Sequence, residues 1–490
     1  MEPIPPPYNW ETPQRQPITG LVVVFIKTFW EIIKRVWPFF LWMLFDNQKD
    51  KPDEQDKFEL LVVLFIALTV VSSILKFLYF RFQIINEELI IHKGWLKKTT
   101  VIVPLHKIQT IHIEQSFLHQ FLGIVKAGID TAGSKKTEVS IDALHLSMAK
   151  ALQARVQAID KQETPTAAHP MQALPLLRLS GKDLLRLSLS ANHIEAFFIL
   201  LSFVYGVYDN LKRVSENVIT DTSALLPDTL FFISFFILFT LCITVLISTT
   251  RIVLKFYDYK VWQQQAGFYI KGGLTSLKEQ FVPFSKVQYI TWRANWVRKQ
   301  LGLWMLEYKI AGSDEVKASQ KVEVPITQSA YIATLVTPYA AIPGTAADPI
   351  RIHASFVYRR LLMVGFLPAL VLIAGSWFWW QEKALIFLLL PLFVGLKAAL
   401  LQKRFRLYAY SDLVYINRSS YGSTYTLLPW YKLQSVSLQQ NIYQRKHNLA
   451  SLLLYTASGN ISLPYISLEA AHAIVNYALY QVEANERPWM

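Results

Sequence analysis

The chain has 490 residues, a formal net charge of +14 and a mean hydropathy of +0.27, with 17% charged and 14% aromatic residues. Length alone suggests about three soluble domains, but several apolar runs near the ~20 residues of a membrane span exclude a purely soluble protein. One cysteine, Cys242, excludes an intramolecular disulfide and a cysteine-based metal site.

Residues 1–17 are Pro- and Gln-rich and are expected to form a disordered tail. Their start, Met1 to Pro7, lacks the basic region of a secretory signal, so insertion is expected to rely on the spans themselves. A first transmembrane hairpin is expected over 18–80. Its first half, 18–45, carries Lys27, Glu31, Lys34 and Arg35 on one helical face, with Glu31 and Arg35 spaced for an i,i+4 pair, and Pro38 interrupts it. Such a segment either lies on the membrane surface or spans with its polar face buried in a bundle. The paired runs elsewhere favour spanning. The run 58–80 is plainly apolar.

A module over 81–160 follows. Strands are expected over 81–85, 89–92 and 99–103, then from Gln109, where Ile111 and Ile113 share one face and Thr110, His112 and Glu114 the other. Short strands over 126–131 and 138–141 precede a helix striped by Leu144, Met148, Leu152, Val156 and Ile159. A linker (161–189) leads to a second hairpin (190–250), with apolar runs 194–208 and 230–249, and to a second module (251–337) whose short helix stops before Pro338. A second linker (338–354) leads to a third hairpin (355–402), with runs 361–380 and 384–401. The third module (403–490) closes on a helix capped by Ser467, with Ala471, Ile474, Ala478 and Val482 inward.

The modules are copies of one unit. Pro104, Lys107, Gln109 and Leu122-Gly123 recur as Pro283, Lys286, Gln288 and Leu301-Gly302, and again as Pro429, Lys432 and Gln434, where His447-Asn448 replace the Leu-Gly pair. Repetition at fixed spacing outranks other sequence signals. Each unit reads as a small, curved antiparallel sheet capped by one terminal helix.

Two spans between successive modules place all three on one side. The opposite loops, 46–57, 209–228 and 381–383, hold six Lys/Arg against ten acids, while Arg81, Arg251, Arg359, Arg360, Lys403 and Arg404 flank the span ends on the module side. Positive flanks stay cytoplasmic. The modules are therefore expected in the cytoplasm, with the basic excess meeting anionic headgroups rather than nucleic acid.

The segments INEELIIHKGWL and VPLHKIQTIHIEQSFLHQFLGI and the closing DTAG resemble the bacterial pleckstrin-homology-like (bacterial PH) membrane proteins, in their three-module, YdbT-like type. The resemblance covers nearly the whole chain after residue 20. It implies an α+β membrane protein in which transmembrane helical hairpins alternate with three PH-like antiparallel β-barrel modules, each with a C-terminal helix. It also implies a bacterial cell-membrane location and brings no catalytic residue with it.

No HExxH pair, phosphate loop or GxSxG elbow occurs, and the ten histidines are scattered, so neither an enzyme nor a cofactor or metal is expected. The clear spans are nearly free of mid-depth charge, which counts against a transporter with regulatory modules, the alternative reading. What remains is binding. Trp296 with Arg298 and Lys299, and Arg445 with Lys446, are candidate lipid-headgroup contacts, while Trp292 is expected in the core. The expected partners are the bilayer, anionic lipid headgroups or another membrane protein, in a role such as cell-envelope homeostasis.

Overall fold

The computed structural model describes residues 8–45, 52–131, 139–159, 174–203, 206, 229–310, 322–341, 344 and 348–484. It divides into two compact units, Met1–Leu176 with Lys260–Pro283, and Leu177–Tyr259 with Phe284–Met490.

The first unit begins with helices α1 (Gly20–Phe45) and α2 (Pro52–Leu78). Then come β1 (Arg81–Ile85), β2 (Glu88–Lys93), β3 (Thr99–Pro104), β4 (Ile108–Ser116), α3 (Phe117–Phe121), β5 (Ile124–Thr131), β6 (Val139–His145) and α4 (Leu146–Ile159). The second unit opens with β7 (Leu177–Arg178), α5 (Gly181–Leu189), α6 (Ile194–Phe203) and α7 (Thr229–Lys255). Strands β8 (Lys260–Gln264), β9 (Gly267–Gly272) and β10 (Ser276–Pro283) belong to the first unit. The rest of the second unit runs β11 (Val287–Ala294), α8 (Trp296–Gln300), β12 (Trp304–Ile310), β13 (Val322–Ile326) and α9 (Ala330–Val336). After α10 (Ser355–Arg360), α11 (Leu367–Trp380) and α12 (Leu389–Arg404) come β14 (Arg406–Ala409), β15 (Leu413–Asn417) and β16 (Ser423–Pro429). The chain ends with β17 (Leu433–Gln439), α13 (Ile442–Lys446), β18 (Leu449–Thr456), β19 (Gly459–Ser467) and α14 (Leu468–Ala484).

Each repeat is two three-stranded meanders joined by the Pro-x-x-Lys motif. The proline is extended (Pro104 ψ 131°, Pro429 ψ 139°), and the next three residues form a 3-10 turn: Leu105–Lys107, Phe284–Lys286 and Trp430–Lys432. Proline fixes φ and cannot extend a strand's donor row, so it ends the first meander at the same place each time. The later turn needs a left-handed residue. Gly123 (φ 67°) and Gly302 (φ 69°) supply it, and Asn448 (φ 52°) does so in the third repeat, so the worn copy keeps the geometry with the next most tolerant residue.

The barrels that the resemblance implies are not closed: among the described residues no sheet closes on itself. The second meander of one repeat pairs instead with the first meander of the next. In the first unit the order is β6-β5-β4-β10-β9-β8, through Ser276↔Ser116, Leu277↔Gln115, Lys278↔Glu114 and Glu279↔Ile113. In the second it is β13-β12-β11-β16-β15-β14, through Ala294↔Ser423, Arg293↔Thr424, Trp292↔Tyr425, Thr291↔Thr426 and Ile290↔Leu427. Aligned on Pro283 and Pro429, the two joints have one register. Alternation specifies which residues face inward but not which strand lies alongside, so the exchange between repeats does not show in the period-2 pattern. The meanders β1-β2-β3 and β17-β18-β19 are left as separate three-stranded sheets.

Each unit has a core of its own among the described residues. In the first unit, Phe82, Ile84, Leu89, Ile91, Ile111, Ile113, Ile129, Leu152 and Val156 pack together. In the second, Phe405, Val414, Ile416, Leu428, Trp430, Leu452, Leu463, Ala471, Ile474 and Ala478 do so. Leu144 lies in β6 rather than in the helix, and Val482, expected inward, is exposed. Residues 8–17 are not a disordered tail. The Gln14 N–H donates to the Phe82 carbonyl (2.7 Å), the Phe82 and Ile84 N–H groups donate to Gln14 and Trp10, and Trp10 is buried in the first core. Ile350 clips the outer edge of β14 in the same way, exchanging both backbone bonds with Leu407.

Three described helical stretches are long and apolar enough to cross a membrane: Ser234–Lys255, Ser355–Phe378 and Gln381–Arg404. A fourth candidate is the pair α5 and α6, bent by 65°. The apolar part of α2, Val62–Leu78, is shorter, and α1 is not among them. Pro38 does not interrupt α1, which is one helix. Glu31 accepts from Lys76 of α2 (2.9 Å), and Phe29 meets Phe65 edge-on at 5.9 Å.

Candidate membrane-facing site

A short helix caps the end of the first strand in every second meander, and its sequence explains its shape. Asn295 accepts from the Arg298 N–H (2.7 Å), and Asn441 accepts from Gln444 N–H (2.8 Å) within a capping box; Ser116 holds the same place before α3, with its hydroxyl on His119 instead of a first-turn N–H. Ser and Asn are preferred there because their side-chain oxygens satisfy donors that the first turn leaves open.

Three residues on, the side chain ties the helix down. His119 bonds Ser116 Oγ (2.5 Å) through Nδ1 and the Asp142 carbonyl (2.9 Å) through Nε2. Arg298 reaches Ser190 Oγ (3.4 Å) and the Leu187 carbonyl (3.5 Å) at the end of α5, while Asn295 donates to the Ser190 carbonyl (2.7 Å). Burial, then neighbouring Arg293, lowers the Arg298 pKa from its usual value. Gln444 donates to Ser451 Oγ (2.8 Å). Arg298 is thus a brace at a helix end, where a cation favourably meets open carbonyls.

The first helical residue is left out in solvent each time. Phe117 is 68% exposed, Trp296 63% and Ile442 80%, and Phe121 adds 83% at the far end of α3. Lys299, Arg445 and Lys446 beside them are also exposed.

Each of these tips lies at the root of an apolar helix of its own unit. Near α3, Asp142 accepts from Lys27 of α1 (2.5 Å), and Gly20 lies against Ala143. α8 sits on the bend between α5 and α6 through Ser190. At α13, the Arg359 guanidinium from the start of the 355–378 stretch lies 5.0 Å over the Tyr443 ring. The turn next to α8 touches another apolar helix, α12: Arg404 donates to the Ser420 carbonyl (2.7 Å), and Tyr421 stacks on Phe393 at 5.6 Å. Gly422 is required there, because a Cβ would come 2.4 Å from the Ala294 carbonyl oxygen.

The structure places the remaining motif residues as scaffold. Pro104, Pro283 and Pro429 end strands, and Leu122 and Leu301 precede the left-handed turns. Gln109 lies in β4, Gln288 is buried and Gln434 is exposed. Lys107 is exposed and Lys286 half-buried, whereas Lys432 is buried and donates to the Ser285 carbonyl at 2.6 Å. Trp292 lies in the sheet interior, as the alternation implies.

Burial, with Lys286 adding to it, lowers the Lys432 pKa to about 8. Between pH 8 and pH 10 the unfolded chain then binds the proton that the folded chain has released, so stability rises with pH across that window. We expect the melting temperature of the full chain to climb from pH 8 to pH 10 and Lys432→Met to flatten the climb. An unchanged slope in the variant would assign the effect elsewhere.

Sequence reasoning missed Phe117, Phe121, Ile442 and the three caps. The signal was present as Ser/Asn followed by an apolar residue at one repeat position, but it shows only when the copies are superposed.

A repeated sheet-and-helix unit carried by apolar helices, with apolar and cationic tips at the helix roots, defines a membrane protein built from repeated modules. The chain belongs to the bacterial PH domain family, whose model matches residues 22–159 and 356–482. It is similar to the UPF0699 transmembrane protein YdbT of Bacillus subtilis (strain 168), with 22% identity over 274 residues, covering 52% of this chain and 54% of that protein. The match thus spans about half the length of that relative.

Proposed function

We infer that the chain is a non-catalytic, multi-pass protein of the bacterial cell membrane that holds three PH-like modules on the cytoplasmic face and seats their short-helix tips among anionic headgroups. The observation that carries this reading is the recurrence of an exposed apolar residue at one repeat position, Phe117, Trp296 and Ile442, each beside a helix root. Cations follow in two of the three tips, Lys299 in one and Arg445 with Lys446 in the other. Aromatic and apolar groups at headgroup depth with cations on phosphates is the chemistry of an interfacial contact. Each cation contributes on the order of 1 kcal/mol near an anionic surface. Tethering supplies the rest, since a module fixed under the bilayer meets lipid at high effective concentration. Modules held this way suit binding of lipid or a membrane partner in envelope homeostasis.

The test uses the full chain with Cys242→Ser and a fluorophore on Ile442→Cys, in nanodiscs containing headgroup-region spin-labelled lipid. Quenching is expected with phosphatidylglycerol present, and less with phosphatidylcholine alone or after Arg445→Glu with Lys446→Glu. A label that stays unquenched in both lipids sinks the lipid reading.

A further inference from the structure

The two joints leave one unmatched edge of each kind. Every joint needs an outer strand from a first meander (β10, β16) and an outer strand from a second meander (β4, β11). The first repeat has the former in β3, and the third has the latter in β17. Both are edge strands of three-stranded sheets, with no strand beyond them among the described residues.

Apolar side chains on both edges are less buried than their counterparts in the joined copies. Ile102 is 54% exposed, whereas Leu427, its counterpart in β16, is fully buried, and Phe281 in β10 is half-buried. Val436 and Leu438 are half-buried, whereas their counterparts Ile111 and Ile113 in β4, and Ile290 and Trp292 in β11, are buried. In the turn before β3, Trp95 and Leu96 are exposed, whereas their counterparts before β16, Ser420 and Tyr421, are half-buried; before β10, Leu274 is as exposed as Trp95. The turn before β10 lies against α3, where Gln120 donates to the Leu274 carbonyl at 2.9 Å. Arg445, the counterpart of Gln120 on α13, is exposed.

We propose that β3 of one copy of this chain pairs with β17 of a second copy, continuing between molecules the joint that is built twice within each. An open edge with an apolar face is a template for strand addition. A second copy is the occupant that this chain can itself supply, because it carries both halves of the joint. Applying the register of the two existing joints sets Thr99 opposite Gln439, Thr100 opposite Leu438, Val101 opposite Ser437 and Ile102 opposite Val436. The contact is head-to-tail, so it propagates into a ring or a row under the membrane. Modules would then be presented as an array, not singly.

Two full-length chains with Cys242→Ser are prepared, one carrying Thr100→Cys and the other Leu438→Cys, with tags of different size, and reconstituted into the same vesicles. Mild oxidation should give a disulfide-linked hybrid that outweighs either symmetric product. Moving the second cysteine to Gln434→Cys, or adding Ile102→Lys to the first chain, should abolish it. The positive control is Thr291→Cys with Thr426→Cys in one chain, across a joint where the two hydroxyls already lie 3.3 Å apart. If that bridge forms while the hybrid is absent, or matches the offset pair in yield, the proposal is overturned and these edges do not join copies.

Discussion

Trp430→Ala is expected to destabilise the third repeat by about 3–5 kcal/mol, the range for truncating a large buried aromatic. Trp430 is the bulkiest fully buried side chain of the described residues. It stands at the first position of the 3-10 turn that links the two meanders, so its loss touches both. The indole Nε1–H donates to the Tyr410 carbonyl (2.8 Å), its backbone N–H donates to Asp412 (3.0 Å), and the ring meets Tyr477 of α14 edge-on at 5.5 Å. Alanine leaves a cavity and leaves the Tyr410 carbonyl without its donor. Hydrogen exchange of β14–β19 in the full chain measures the loss. Trp296→Ala serves as the exposed comparison and should stay within ~0.5 kcal/mol. Equal effects from the two would mean that the 3-10 turn is not the hub of the repeat.

Trp292→Ala is expected to cost a similar ~3–5 kcal/mol, for a different reason. Trp292 is buried at the joint between repeats and stacks on Tyr425 across it, with centroids 5.7 Å apart and planes at 27°. Tyr425 lies parallel to Tyr415 (5.9 Å, 5°), Tyr415 meets Tyr408 at 6.0 Å, and Trp304 approaches Tyr425 at 5.8 Å. An aromatic row therefore crosses β12, β16, β15 and β14 through Trp292 of β11. Burial, then the neighbouring Tyr425, raises the Tyr415 pKa. A double-mutant cycle of Trp292→Ala with Tyr425→Ala should return a coupling of about 0.5–1.5 kcal/mol. Strict additivity would remove stacking as the glue of this joint. The first unit closes its joint by other means, with Lys278 bonded to Glu114 at 3.1 Å and Lys126 at 3.9 Å from it. One register is thus held by charge in one place and by rings in another.

The candidate site was half legible. Trp296, Lys299, Arg445 and Lys446 are exposed at the tips, as a basic-aromatic cluster suggests. Arg298 reads the same in sequence, yet its guanidinium is turned onto the end of α5. Adjacent cations on a short helix point to different sides, and only the position of α5 decides which one is occupied.

The sequence by itself determined the repeat, the prolines that end its strands, the left-handed turns and the apolar stretches, because these depend on local backbone preference and on side-chain period. It placed Ile111 and Ile113 of β4 and Trp292 of β11 inward for the same reason. The tertiary structure alone decided who pairs with whom. Strand pairing is a contact between distant segments, and a period of two is satisfied equally by a neighbour in the same module or in the next. The exchange of meanders between repeats, the docking of residues 8–17 on β1 and the open edges at β3 and β17 all follow from that choice.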